Sequence, residues 1–129
     1  MSRLLRKEVD QQLRTWEELF RSGDSHRLAE LHVEGGVVVL PDSQMIRGRR
    51  EIARYWSDVR QLGGRLHLQI DEMEIGRKIG VANGTAVLRG EWPGGKQTGC
   101  EVRFAVTWER PGRVLAVVLH SERRSAPPV

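Results

Sequence analysis

"VVVLPDSQMIRGRREIARYW", residues 37–56, decides the fold. A β-branched run stops on Pro41-Asp42, a polar loop runs to Gly48, and a helical apolar stripe follows. Ile52, Tyr55, Trp56 and Val59 recur at the 3.6-residue period, which predicts a helix over 49–62, ended by Gly63-Gly64. A strand that hands over to a helix so quickly is either an ordinary corner or the lip of a pocket.

Upstream, Val9, Leu13, Trp16, Leu19 and Phe20 continue a stripe begun at Leu4 and Leu5. They predict a long amphipathic helix of about five turns. Ser22-Gly23-Asp24 ends it: Gly23 suits the left-handed position after the helix, and Asp24 suits the cap of a second, short helix. Gly35-Gly36 is read as the end of that helix, with a strand over 37–40.

Downstream the period changes to two. Residues 65–75, 81–92, 99–110 and 113–122 read as four strands. Gly76-Arg77-Lys78, Pro93-Gly94-Gly95-Lys96 and Pro111-Gly112 supply short turns, so the strands form an antiparallel meander. Helices at one end of the chain and antiparallel strands at the other give the α+β class. Residues 1–124 are expected to form one domain, with 125–129 as a flexible tail.

Composition narrows the function classes. The chain has 129 residues, a net charge of +4, and one cysteine, Cys100. A lone cysteine excludes an intrachain disulfide and a cysteine metal cluster. No apolar run is long enough to span a bilayer, and the charged N-terminus lacks a signal-peptide core, so a cytoplasmic protein is expected. Arg47, Arg49, Arg50 and Arg54 are the one dense basic cluster. No recognition motif accompanies them, and seventeen acids interleave the basic groups elsewhere, so a nucleic-acid partner is not expected.

Three segments together resemble the nuclear-transport-factor-2-like superfamily, and within it the SnoaL-like and ketosteroid-isomerase-like proteins. They are "FRSGDSHRLAELH", the stretch quoted above, and "VRFAVTWERPGRVLAVVLHSER". The resemblance implies a cone-shaped, cystatin-like fold in which three helices pack on a curved, mostly antiparallel sheet around a pocket. It implies that Leu40 stands near the position of a catalytic base, with Asp42 a shifted substitute, that Trp16 replaces a tyrosine donor, and that Phe104 replaces a second acid. Steroid-type isomerisation is therefore not expected. Acid–base chemistry of another kind would fall to His120, late in an otherwise apolar strand, and to Asp42, which also reads as a plain turn residue.

Trp16, Phe20, Leu40, Tyr55, Trp56, Trp92, Phe104, Trp108 and Val118 are the candidate lining of a pocket for an apolar or aromatic small molecule. Strict alternation would put Ala116, Val118 and His120 on the pocket face. His67 should be solvated, and His26 and His32 are placed on the short helix without a shared face. No cofactor or metal is expected, since no ligand spacing is present. The apolar run 114–119 has two sides to bury, which predicts a homodimer through the open face of the sheet. Two classes stay open: a small acid–base enzyme of isomerase, cyclase, dehydratase or hydrolase type, and a non-catalytic ligand-binding or dimerisation module.

Overall fold

The computed structural model describes residues 6–61, 64–91, 97–110 and 116–124. The chain runs α1 (Arg6–Ser22), α2 (Ser25–Glu30), β1 (His32–Val39), β2 (Met45–Arg47), α3 (Arg49–Gln61), β3 (Arg65–Ile75), β4 (Ile79–Glu91), β5 (Gln97–Glu109) and β6 (Ala116–Arg124). The six strands make one sheet in the order β2-β1-β6-β5-β4-β3. Four neighbouring pairs are antiparallel, and β1 runs parallel to β6. The class is α+β, with helices against one face of a mostly antiparallel sheet.

The α1 stripe behaves as its spacing requires: Val9, Leu13, Trp16 and Phe20 are buried. Polar groups fix the helix to the sheet. Arg14 donates to the Leu68 carbonyl at 2.9 Å, and Glu17 accepts from the Leu68 N–H at 2.7 Å. Further along the sheet, the Trp108 indole donates to Gln12, and Arg110 pairs with Glu8. The corner after α1 also follows the sequence. Gly23 has a φ of 78°, and the Asp24 carboxylate accepts from the Arg27 N–H at 3.1 Å. Asp24→Ala should therefore cost about 1 kcal/mol in chemical denaturation without changing the fold.

The opening stretch has a different reason for its Pro-Asp. β1 ends there because the chain turns back on itself as a hairpin. Leu40 N–H donates to the Gln44 carbonyl at 2.8 Å, and Val37, Val38 and Val39 pair with Arg47, Ile46 and Met45. The loop expected over 41–48 thus holds a short edge strand, β2. Gly48, at a φ of 91°, donates to Gly36 at 2.9 Å and begins α3 by accepting from the Ile52 N–H at 3.0 Å.

Three further expectations need correction. Gly35-Gly36 does not end a helix: α2 stops at Glu30, β1 already starts at His32, and the glycines sit where its register against β6 slips. A Cβ on Gly36 would lie 3.0 Å from the Val33 carbonyl and 3.2 Å from the His32 Cβ, so the irregularity needs glycine. His32 is therefore a strand residue. Strict alternation also fails in β6. Thr107 pairs with Leu119, but its neighbour Trp108 pairs with Val117, so Val118 is an extra residue at a bulge. Val117 then joins His120 in the core, where alternation had placed Ala116 and Val118. Trp92, the Pro93–Lys96 and Pro111–Gly112 turns, and the tail 125–129 lie outside the described residues.

Candidate functional site

The site is built where α1, α3 and the middle of the sheet meet. Three core-facing residues of β5, Phe104, Val106 and Trp108, stand opposite Glu122, His120 and Val117 of β6. From α1, Trp16 reaches this layer, and from α3 come Tyr55 and Trp56. Trp16 is 2% exposed and His120 4%.

His120 lies in an aromatic box. Its ring is parallel to Trp56 within 6° at a centroid distance of 6.0 Å. Trp16 meets it edge-on at 5.5 Å, and Phe104 at 6.4 Å. His32 also packs edge-on against Trp16, at 5.2 Å. Phe20 and Tyr55 extend the cluster, 6.1 and 5.3 Å from Trp56.

One carboxylate enters this apolar region. Glu122 accepts from the Tyr55 hydroxyl at 2.7 Å, and its other oxygen lies 3.5 Å from His120 Nε2. That second approach is longer than a formed hydrogen bond. Burial raises the Glu122 carboxyl above its ordinary 4.5, with the Tyr55 hydrogen bond pulling it back. Burial lowers His120 to about 4. The same cause lowers His32 to about 4, helped by His120 and, to a smaller degree, by Arg49. The Ala29 and Leu28 carbonyls pull His32 upward, but neither closes a hydrogen bond of good geometry onto the ring. Both imidazoles are neutral at pH 7.

A cavity of about 20 Å³ opens between Leu13, Trp16, Trp56, Phe104, His120 and Glu122. That is the room of one oxygen-sized guest. No lysine or arginine among the described residues lines it. Beside it, His120 Nδ1 and the indole N–H groups of Trp16 and Trp56 are buried without a partner among the described residues.

Of the residues singled out in the sequence, Trp16, Trp56, Phe104 and His120 converge on this cavity, with Phe20 and Tyr55 behind them. Leu40 is half-buried against the core but does not line the cavity. Trp108 is fully buried, bonded to Gln12, and does not line it. Val118 contributes the extra residue of the bulge. Asp42 is exposed, and its carboxylate accepts from the Gln44 N–H at 3.0 Å, which makes it a turn residue outside the site. His67 is exposed, with Nδ1 3.6 Å from Glu17.

Glu122 and His32 were not singled out. Glu122 was legible: it stands two residues from His120 on one strand, so the two share a face. His32 gave no such signal once Gly35-Gly36 had been read as a helix end. Among the described residues, no group of three His, Cys, Asp or Glu side chains could hold a metal ion.

With this geometry in place, comparison with known proteins settles the family. The model of the SnoaL-like domain matches residues 13–115. The chain belongs to the SnoaL-like domain family. No curated protein matches it. Solved structures place this SnoaL-like chain among cystatin-like folds. An NTF2-like protein with a cystatin-like fold from Novosphingobium aromaticivorans is similar over 96% of this chain and 84% of its own, at 20% identity and a TM-score of 0.85. Aln2 from a Streptomyces species is similar over 95% and 94%, at 16% identity and a TM-score of 0.80. A cystatin-like protein from Caulobacter vibrioides is similar over 94% and 89%, at 16% identity and a TM-score of 0.76. At these identities the likeness establishes the fold alone. No helix among the described residues is long and apolar enough to cross a membrane.

Proposed function

We propose that this SnoaL-like protein binds a small apolar or aromatic molecule in the box around His120, and that His120, Glu122 and Tyr55 supply acid–base chemistry to it. One observation carries the reading. A neutral imidazole and a carboxyl with a raised pKa are buried side by side among aromatic rings, and perturbed pairs of this kind gather at functional sites. With Nε2–H turned to Glu122, the lone pair of Nδ1 is left to accept a proton from a guest, and Glu122 would stabilise the imidazolium formed. The Tyr55 O–H holds the far oxygen of Glu122. His120→Phe keeps a ring in the box and removes both nitrogens, so any turnover by this site should vanish with it.

A second reading has its own support. A cavity of about 20 Å³ suits a non-catalytic module whose core has closed. Toluene separates the two. Too large for the closed cavity, it enters only as the rings part; followed by the indole N–H signals of Trp16 and Trp56 in NMR, it should then give saturable shifts in the native protein. Ala86→Leu, which enlarges an apolar side chain of the cavity wall, should abolish them. Shifts that never saturate favour the closed module.

The sheet face turned away from the helices is the proposed contact with a second copy. It carries Val81, 43% exposed, with Ala105, Thr107 and Ser121. Light scattering at micromolar concentration should give twice 14.7 kDa. The monomer mass would contradict this pairing.

A further inference from the structure

The aromatic box carries more information about its guest than its apolar walls suggest. Buried polar groups are almost always hydrogen-bonded, and a group left without a partner calls for water or a ligand. Three such atoms gather here: Trp16 Nε1, Trp56 Nε1 and His120 Nδ1. Their residues all border the same cavity. Each has a definite chemistry. An indole N–H only donates. His120 Nδ1 accepts when the ring proton sits on Nε2, facing Glu122 at 3.5 Å. In that tautomer, the missing partner offers a lone pair and a proton together.

Charge narrows the class further. Among the described residues, Glu122 is the one ionisable acid on the wall, and no lysine or arginine stands against it. An anionic guest would meet a carboxyl and no cation, in a region of low dielectric. The volume, about 20 Å³, admits one oxygen atom, so the polar tip of a larger ligand is seated there only as the surrounding rings move apart.

We propose that the box takes an uncharged hydroxyl compound, a phenol or alcohol, whose oxygen accepts from an indole N–H of Trp16 or Trp56 and whose O–H donates to His120 Nδ1. This rests on the reading of the box as a ligand site, and names the ligand class. A ketone or an ether supplies only half of the match, and a hydrocarbon none of it.

The test compares four probes of similar size on the full chain by NMR: phenol, anisole, toluene and benzoate. Phenol should bind at least tenfold more tightly than anisole or toluene, shift an indole N–H of Trp16 or Trp56 downfield, and leave benzoate without measurable binding. His120→Phe should bring phenol to the level of anisole. If anisole or benzoate matches phenol in the native protein, the hydroxyl assignment is overturned while the ligand site stands. If phenol, anisole and toluene all fail to saturate, both the assignment and the ligand-site reading fall.

Discussion

Lowering the pH from 6.5 to 4 should cost the protein about 3 kcal/mol of stability for each buried histidine that titrates. The figure is the 2.5-unit gap between the ordinary value of 6.5 and about 4, at 1.36 kcal/mol per unit. The sign follows from proton counting. In that window the unfolded chain protonates His32 and His120, whereas the folded chain keeps them neutral. The unfolded state binds more protons, so stability is full above pH 6.5 and falls towards pH 4. Glu122 works the other way. Its folded pKa is raised, so its stabilising share is present in acid and is lost as pH rises above 4.5. It therefore offsets part of the histidine loss near the acid end of the window. His120 is the second cause of the shift at His32, so a proton on His120 disfavours one on His32. Urea denaturation at several pH values should show the fall, and His120→Phe should remove its share. A flat profile between pH 6.5 and 4 would mean that the two rings are hydrated in the folded protein.

Gly84→Ala should destabilise the protein by about 3 kcal/mol, at the upper end of ordinary overpacking. A Cβ there would lie 1.9 Å from the Gln69 carbonyl oxygen and 3.0 Å from the Ile70 Cα. Both atoms are backbone of β3, beside the slip in its register with β4 between Ile70 and Glu72, and neither can rotate away. The effect should reach the site, because Gly84 also pairs with Phe104, one wall of the box. Weaker toluene binding should accompany the lost stability. Gly35→Ala is the matched control: nothing lies within 4 Å of its added methyl, so the change should stay within about 0.5 kcal/mol. Equal effects at the two glycines would contradict the backbone contact at Gly84.

The long periodic elements were legible in the sequence. The stripe Val9, Leu13, Trp16, Phe20 could be only a helix, and residues 65–75 matched β3 to the residue. What escaped was set by contacts distant in the chain. β2 has three residues with none of them buried, so it has no pattern of its own and exists because β1 offers an edge. The bulge at Val118 inverts the alternation of β6, and only pairing with Thr107 and Trp108 reveals it. Asp42 and Leu40 drew attention through a resemblance in position. The β1–β2 turn then directs the carboxylate to its own backbone. Glu122 shared a face with His120 but was passed over for the opposite reason. An acid near a strand end reads as solvated, whereas only 7% of its side chain is exposed with Tyr55 arriving from α3.

The proposed chemistry depends on His120 holding a bare nitrogen in a dry aromatic box beside Glu122. Nitrogen-15 NMR of the histidine rings across pH 3.5 to 8 tests this directly, with His120→Phe to assign the signal. The prediction is a ring neutral at pH 7, protonated on Nε2 and bare at Nδ1, with a midpoint near 4. A midpoint near 6.5, or a proton on Nδ1 at pH 7, would contradict it.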